Sequence, residues 1–189
     1  LPMGVKSNVK VQGAGIGETI IDGELSLTFW GAWYVSNIEI SGMKLMNGRS
    51  IYTYGLSFLY CTNIVVSDID CYNSLGSNSV GITLGYSNGI QIENVILGNI
   101  EYQHDLSAIF TFECNNVYIS NVIVDNLTTS DSESTFLGLI FYDSDIHLRN
   151  SIVSNISAVD AWIFLYQNIY EPFAAYNLDM SNVLIINNS

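Results

Sequence analysis

Residues 116–126 read NVYISNVIVDN, and the same order of polar and apolar residues returns five more times along the 189-residue chain. The other copies are NIEISGMKLMN at 37–47, NIVVSDIDCYN at 63–73, GIQIENVILGN at 89–99, DIHLRNSIVSN at 145–155 and NLDMSNVLIIN at 177–187. Successive copies begin 26, 26, 27, 29 and 32 residues apart. A sub-pattern that recurs at such intervals is typical of a solenoid, in which each repeat buries its apolar face against its neighbours.

Each copy predicts two short strands that meet at a corner. The first five residues alternate between polar and apolar, as in Asn116 to Ser120, which is the period of a strand with one buried face. The sixth residue tolerates a left-handed backbone and so permits a bend, and it is Gly42, Asp68, Asn94, Asn121, Asn150 or Asn182. A second apolar strand follows this corner.

The last residue of every copy is an asparagine. These residues are Asn47, Asn73, Asn99, Asn126, Asn155 and Asn187. Identical amides at one place in stacked coils are suited to a ladder of side-chain hydrogen bonds. We therefore predict a structural asparagine ladder along one edge of the fold.

A third apolar stretch separates successive copies, at 55–60, 81–86, 107–112, 137–142 and 161–166. Three short strands per coil, two prolines and no sustained helical period predict a single all-β domain over residues 1–189. We expect a parallel β-helix of about six to seven coils, because the repeats account for nearly the whole chain. The chain opens in the middle of a motif, which favours a mature product or a fragment of a longer protein.

The opening residues carry a family resemblance. KSNVKVQGAG at 6–15, followed by TIIDG at 19–23, resembles the first coil of the right-handed parallel β-helix, or pectin-lyase-like, superfamily. The resemblance implies a right-handed solenoid, nearest in character to surface and adhesin-like repeat members. The superfamily also holds pectate lyases, polygalacturonases and phage tailspikes, so the fold does not choose the function.

Charge and hydropathy exclude two classes of partner. The chain has 5 basic and 18 acidic residues and a net charge of −13, whereas nucleic-acid binding needs clustered Lys and Arg. No apolar run approaches the roughly 20 residues that span a bilayer, so we expect no membrane insertion. Glycosylation sequons at Asn126, Asn155 and Asn187 fit an extracellular or cell-surface protein, although these asparagines also belong to the predicted ladder.

Three carboxylate pairs at i, i+2 spacing could serve a glycoside hydrolase, which needs two carboxylates about 5 to 9.5 Å apart. The pairs are Asp68 with Asp70, Asp131 with Glu133, and Asp143 with Asp145, and the sequence ranks none of them. Resemblance to the polygalacturonases would imply Asn-Thr-Asp, Asp-Asp, Gly-His-Gly and Arg-Ile-Lys motifs, and all four are absent. The sequence therefore assigns no catalytic residue.

Neither the arginines nor the histidines of the sequence indicate a metal or cofactor site. The lyases of the superfamily imply calcium-binding aspartates beside a base, but Arg49 and Arg149 have no carboxylate cluster in the template and are interpreted as surface cations. His104 lies in a loop without a second ligand at metal spacing. His147 occupies an outward column and is interpreted as an ordinary surface residue; that column also holds Glu39, Val65, Gln91, Tyr118 and Asp179.

The cysteines Cys61, Cys71 and Cys114 are odd in number and lack metal-like spacing, so we interpret them as buried thiols. Aromatic residues also recur near the coil ends, at Tyr60, Tyr86, Phe112, Tyr142 and Tyr166. They favour a stack in the core over a sugar-binding platform.

Two features favour association. The middle of the second strand should face outward, yet it is aliphatic at Ile96, Ile123, Ile152 and Leu184. This stripe predicts an interface or a surface under a covering loop, unless the corner is placed one residue off and the stripe faces inward. Uncapped coil ends would present unpaired strand edges, which favours self-association end to end.

Together these observations favour a non-catalytic, extracellular structural module for adhesion or self-assembly. The alternative is a carbohydrate-active enzyme of the same superfamily, either a polysaccharide lyase or a glycoside hydrolase. The enzyme would act on a neutral or weakly charged glycan, since the chain lacks the positive charge that attracts a polyuronate.

Overall fold

The computed structural model describes residues 6–23, 30–47, 49–50, 54–76, 80–102, 107–129, 136–157, 162–167 and 177–186. In these ranges the chain forms strands and turns and contains no helix. The strands are β1 (Val9–Gln12), β2 (Ile20–Asp22), β3 (Trp30–Trp33), β4 (Ser36–Met46), β5 (Arg49–Ser50), β6 (Tyr54–Leu59), β7 (Thr62–Gly76), β8 (Val80–Gly85), β9 (Asn88–Tyr102), β10 (Ser107–Phe112), β11 (Asn115–Thr129), β12 (Phe136–Tyr142), β13 (Ile146–Arg149), β14 (Ile152–Ser157), β15 (Trp162–Gln167), β16 (Leu178–Ser181) and β17 (Leu184–Ile186).

These strands form a parallel β-solenoid, which confirms the predicted fold class. One sheet of six strands runs in the order β15-β12-β10-β8-β6-β3. The other sheet has eleven strands, with a main path β1-β4-β7-β9-β11-β13-β16, and it bends around the corner of each coil. Every pairing between neighbours is parallel, as coils that wind in one direction require.

The coil geometry differs from the prediction in one respect. In four central coils the two short strands predicted on either side of the corner merge into one bent strand, namely β4, β7, β9 or β11. Shorter, separate strands form the coils at either end. The predicted six to seven coils of three short strands are thus four regular turns with less regular coils beside them.

The register follows the sequence template residue for residue. Ile64 lies opposite Ile38 and Ile90, and the same column continues through Val117, Ile146 and Leu178. The corner residues all have positive φ, from 49° at Asn150 to 69° at Gly42, so the predicted left-handed bend is confirmed. A second left-handed position is the first residue of four of the six copies, namely Asn37, Asn63, Gly89 and Asn116.

The inward columns form a continuous apolar core. Ile40, Ile92 and Leu148 are fully buried in one column, and Leu45, Leu97 and Val124 are fully buried in another. Cys71 takes the same place as Leu97 in its own coil and is buried with it. Burial raises the pKa of Cys71 to about 12.

The other two cysteines alternate with serines along a buried turn. The backbone amide of Cys61 donates to Ser87 Oγ at 3.0 Å, and that of Cys114 donates to Ser144 Oγ at 3.1 Å. Burial raises the pKa of Cys61, and it raises that of Cys114 to about 11. All three cysteines are buried and free, so the interpretation as buried thiols is confirmed.

Candidate functional site

One outward column runs along the first-strand face of the solenoid and holds charged, amide, phenol and imidazole side chains. We call it the outer column, and it comprises Lys10, Glu39, Val65, Gln91, Tyr118, His147 and Asp179. Each residue comes from a different coil, and neighbouring strands lie about 4.8 Å apart. The column therefore lines the long axis of the fold.

Four side chains meet near one end of the outer column. The rings of Tyr118 and His147 stack with centroids 4.6 Å apart and an interplanar angle of 8°. His147 Nδ1 lies 3.4 Å from Asp179 Oδ2, and Arg149 Nη2 donates a hydrogen bond to the same oxygen at 3.0 Å. We call Tyr118, His147, Arg149 and Asp179 the His147 cluster.

Electrostatics favour an ionised carboxylate in this cluster. The hydrogen bond from Arg149 lowers the pKa of Asp179 below its usual value, and the bond with His147 lowers it further. The carboxylate faces Nδ1 of His147 and so favours the tautomer with the proton on that nitrogen. In that tautomer Nε2 holds the lone pair and is able to accept a proton.

The cluster gives contacts to two residues that the sequence analysis interpreted as surface residues. His147 lies in the outward column, as expected, and it contacts an aromatic ring on one side and a carboxylate on the other. Arg149 is an exposed cation, as expected, but it forms an ion pair with Asp179. Aligning the copies already places Tyr118, His147 and Asp179 in successive coils, and this alignment was the signal for the site.

A shallow groove lies at the opposite end of the outer column. It has a volume of about 310 Å³, and its lining includes Asn8, Lys10, Asn37, Glu39, Asn63 and Val65. Lys10 Nζ forms an ion pair with Glu39 Oε1 at 2.6 Å. Along the side of the groove, Asn37 Nδ2 donates to Asn8 Oδ1 at 2.8 Å and Asn63 Nδ2 donates to Asn37 Oδ1 at 3.0 Å.

The face around the outer column is nearly neutral. This face consists of the outer column and the next outward column, which includes Glu93, Ser120 and Arg149. Two positive and three negative side chains give these two columns a formal charge of −1, against −13 for the whole chain. The negative charge of the protein is therefore concentrated elsewhere.

Neither of the candidate catalytic carboxylate pairs that the structure describes places two carboxylates on this face. Asp68 Oδ1 accepts a hydrogen bond from Asn94 Nδ2 at the corner, and Asp70 Oδ2 lies 3.7 Å from Lys44 Nζ. Asp143 is fully buried, so it does not present its carboxylate to a polymer. Asp131, Glu133 and His104 lie outside the described residues, as does the side chain of Arg49.

Of the predicted asparagine ladder, the structure describes four side chains. Asn47 Nδ2 donates to Asp22 Oδ2, and Asn126 Nδ2 donates to Asn99 Oδ1. Asn155 Nδ2 donates instead to Asp125 Oδ1 at 2.7 Å. The side chains of Asn73 and Asn187 lie outside the described part.

The corner column carries a second set of amide contacts. Asn94 donates to Asp68, Asn121 donates to Asn94, and Asn182 donates to Asn150, at 3.0 to 3.1 Å. The contacts beside the groove, those of the predicted ladder and those of the corner column thus form amide ladders along three edges of the solenoid. The sequence predicted a ladder along one edge. The residues of the corner column were predicted to bend the chain, but not to form a ladder.

The aliphatic stripe faces outward. Ile96, Ile123, Ile152 and Leu184 occupy one register column. Ile123 is 37% exposed and Leu184 is 49% exposed, while Val95 and Leu97, on either side of Ile96, are buried. The alternative in which the corner is one residue off is therefore wrong, and the stripe as an interface remains a prediction.

Tyrosines form a stack on the surface rather than in the core. The rings of Tyr34, Tyr60 and Tyr86 stack with successive centroids 4.7 Å apart, and all three are exposed. Phe112 continues the series edge-on to Tyr86. The ring faces within the stack pack against each other, so the stack offers only ring edges to a ligand. The prediction that these aromatic residues stack in the core is wrong for Tyr60 and Tyr86.

Neither a metal site nor a membrane-spanning helix occurs in the part of the chain that the structure describes. Among them, no three His, Cys, Asp or Glu side chains come together in a group that could hold a metal ion. Their secondary structure also includes no helix of the length and hydropathy that crossing a membrane requires.

Comparisons with known proteins concern the fold. No family model and no curated protein matches the chain. A "putative glycosyl hydrolase" from Parabacteroides merdae is similar over 85% of this chain and 82% of its own, with 12% identity and a TM-score of 0.31. The ORF18 protein of Geobacillus virus E2 is similar over 96% of this chain, with 10% identity and a TM-score of 0.30.

The catalytic domain of a GH87 alpha-1,3-glucanase in complex with nigerose is similar over 95% of this chain, with 10% identity and a TM-score of 0.27. This chain covers 49% of the viral protein and 52% of the glucanase domain, which is about half of each. At identities of 10 to 12% and TM-scores of 0.27 to 0.31, these likenesses carry no further argument.

Proposed function

We propose that this chain is a carbohydrate-active β-solenoid that binds a neutral or weakly charged glycan along the outer column. The column follows the long axis of the fold, as an extended polymer would. Amides, hydroxyls and the imidazole both donate and accept hydrogen bonds, which suits sugar hydroxyls. The near-neutral charge of this face also avoids the repulsion that an acidic surface exerts on an anionic glycan.

The His147 cluster is the observation that carries this proposal. It is an oriented group of aromatic, imidazole, carboxylate and guanidinium side chains on an open strand face. Most outward columns of the fold instead hold aliphatic, small or amide side chains. Convergent polar groups around a ring are the usual composition of a small-ligand or sugar subsite.

The oriented imidazole favours a second function, which is acid–base catalysis on the bound glycan. A histidine held by a carboxylate is a common general base. A glycoside hydrolase needs two carboxylates at a suitable separation, and the described pairs do not supply them on this face. Of the two enzyme classes expected from the sequence, proton abstraction by a lyase fits the cluster better than hydrolysis. It requires a weakly charged glycan that contains uronate residues, because only a proton next to a carboxyl group is acidic enough to be abstracted.

Binding is tested by affinity electrophoresis and calorimetry against xylan, galactomannan, β-glucan, pectin and alginate. We expect at least one neutral polysaccharide to bind, and His147→Ala to weaken that binding by roughly tenfold or more, because it removes both the ring and its hydrogen bonds. Ile123→Ser, on the aliphatic stripe, is the matched control and should bind as the wild type does. The proposal fails if no polysaccharide binds, or if His147→Ala binds normally.

Catalysis is tested separately by following reducing ends and unsaturated products. Asp179→Asn should lower kcat by about 10² or more, since it removes the carboxylate that orients the base. The same variant should change KM much less. Glycan binding without any product would leave the binding function in place and reject the enzyme.

Other parts of the sequence interpretation remain predictions. They are adhesion, an extracellular or cell-surface location, and membership of the pectin-lyase-like superfamily. The fold agrees with that superfamily, but no family match supports the finer assignment.

A further inference from the structure

The groove at one end of the outer column has two walls of side chains. Residues two positions apart in three successive coils form these walls, and they are Asn8 with Lys10, Asn37 with Glu39, and Asn63 with Val65. Two such residues lie about 6.6 Å apart along a strand. The volume of the groove, about 310 Å³, is near the lower limit of small-ligand sites. It therefore suits a single sugar unit.

An ion pair on one wall offers a hydrogen-bond donor and an acceptor side by side. Lys10 Nζ lies 2.6 Å from Glu39 Oε1, and the two side chains are 53% and 38% exposed. An ammonium has three protons and a carboxylate has two oxygens, so the pair keeps capacity for further hydrogen bonds. Two adjacent hydroxyl groups of a sugar match it, since one donates to Glu39 while the other accepts from Lys10.

The amide wall ends in an acceptor that its ladder does not use. Each amide donates to the amide of the preceding coil, as Asn63 does to Asn37. The next residue of this column is Gly89, where a Cβ would lie 3.1 Å from Asn63 Oδ1. Glycine has no side-chain amide, and in the following coil Asn116 donates to Asn88 instead. Within the described part of the chain, Asn63 Oδ1 is thus left as an acceptor at the end of the groove.

The remaining contacts of the groove select a neutral ligand. Val65 is half-buried and is the aliphatic member of the outer column, so its methyl groups offer a surface to the C–H face of a pyranose. A carboxylate or phosphate on the ligand would meet the carboxylate of Glu39, while Lys10 is already paired. These side chains therefore fit a neutral pyranose with two adjacent free hydroxyl groups.

We propose that the groove is a second sugar subsite, which binds one neutral pyranose through Lys10, Glu39 and Asn63. This inference rests on the proposed function, because it places the groove and the His147 cluster on the same bound glycan. Glu39 and His147 are four strands apart in the outer column, so the two subsites lie about 19 Å apart. A long glycan reaches both subsites, whereas a disaccharide reaches one. The ligand class is therefore a long glycan with a neutral sugar at the groove, whether or not the sugar at the His147 cluster is a uronate.

Calorimetry with disaccharides and octasaccharides of xylan, mannan and β-glucan tests this inference. We expect at least one octasaccharide to bind the wild type roughly tenfold or more tightly than its disaccharide, because it reaches both subsites. Glu39→Gln keeps the shape of the side chain but removes its charge-assisted hydrogen bonds, and it should lower the octasaccharide affinity roughly tenfold. Glu93→Gln removes the same charge from the same face outside the groove. It is the matched control and should bind as the wild type does.

Gly89→Asn tests the amide wall without changing a charge. The φ of 70° at this position is one that asparagine tolerates, and the new amide would donate to Asn63 Oδ1. The acceptor is then no longer available to a sugar, so the octasaccharide affinity should fall roughly threefold or more. Circular dichroism checks that each variant keeps its β signal.

The results separate the groove from the proposed function. Equal octasaccharide binding by the wild type, Glu39→Gln and Gly89→Asn would reject the groove as a subsite and leave glycan binding at the His147 cluster in place. An equal loss in Glu39→Gln and Glu93→Gln would also reject it, because the loss would then follow from the charge of the face. A wild type that binds no octasaccharide overturns the inference, and if it binds no polysaccharide either, the proposed function fails with it.

Discussion

Left-handed asparagines set the bends of the coil. The corner residues have positive φ, as do the first residues of four of the copies, and most of these residues are asparagine. Asparagine tolerates this backbone better than other residues with a Cβ, and its amide both donates and accepts a hydrogen bond. One residue type thus provides the bend of a coil and a link to the next coil.

Substitutions at Asn121 separate these two contributions. Asn121→Gly keeps the left-handed backbone and loses the hydrogen bond to Asn94, which costs about 0.5 to 1.5 kcal/mol of unfolding free energy. Asn121→Ala also leaves a Cβ in that backbone without the polar side chain that lets asparagine tolerate it, which costs about 1 to 2 kcal/mol more. Denaturant unfolding should therefore rank the alanine variant below the glycine variant. Equal stability of the two would show that the bend is not what selects asparagine here.

A buried thiol makes stability sensitive to alkali. The pKa of Cys71 is raised from 9.0 to about 12, because burial disfavours the thiolate. The folded state therefore holds its proton when the unfolded state has lost it. This contribution is complete below pH 9 and declines as the pH rises towards 12, by about 1.4 kcal/mol per pH unit.

Cys71→Val removes this decline and keeps an apolar side chain of the type that Val124 and Val153 already supply in the same column. Unfolding curves recorded from pH 7 to pH 11 should show that the variant gains stability relative to the wild type above pH 9. Ionisation of other groups affects both proteins alike. A constant difference across this pH range would refute the assignment.

Bent strands determine which side chains share a column. β4 and β7 bring Lys44 opposite Asp70, in the column that continues as the aliphatic stripe. Lys44 Nζ lies 3.7 Å from Asp70 Oδ2 and 4.8 Å from the centre of the Tyr72 ring. Asp70 Oδ1 is buried and has no hydrogen-bond partner. The ion pair therefore places two charged residues in the otherwise apolar column of the aliphatic stripe.

Removing the cation alone should destabilise these two strands. Lys44→Met leaves the partly buried carboxylate of Asp70 without its counter-ion, and we expect a loss of about 1 to 2 kcal/mol. The double variant Lys44→Ile/Asp70→Ile extends the stripe and should recover most of this loss. Thermal unfolding of the single and double variants measures the coupling. A double variant no more stable than Lys44→Met would contradict this account of the pair.

Stacking of coils decides how stability is distributed over the whole molecule. Central coils are covered on both sides, while the end coils expose inward residues such as Met180. In a solenoid each repeat is stabilised mainly by its nearest neighbours. Stability should thus fall from the centre towards both ends.

A pair of alanine substitutions tests this gradient. Ile92→Ala, in the fully buried core, should cost about 2 to 5 kcal/mol, whereas Met180→Ala, in the last described coil, should cost less than about 1 kcal/mol. Hydrogen exchange should protect the amides of β9 and β11 more than those of β16 and β17. Equal costs at the two positions, with equal protection, would contradict the gradient.

Local patterns account for what could be predicted. The alternation around Ile92 and Ile119 gives the strands, and the residue type at Asn94 and Asn121 gives the bends, since both depend on a few neighbouring residues. Local patterns did not predict that the two short strands of one coil merge into a single bent strand, as they do in β7 and again in β9. It depends on hydrogen bonds to neighbouring coils, which continue across the corner.

The sequence by itself determined the solenoid, its inward columns and the residues at its corners, because these follow from periodicity within a single repeat. Only the tertiary structure decided that His147 contacts both Tyr118 and Asp179, 29 and 32 residues away. It also decided that the tyrosine stack lies on the surface. Contacts between coils depend on how each coil closes before the next begins, and that closure requires the packing of all three strands together.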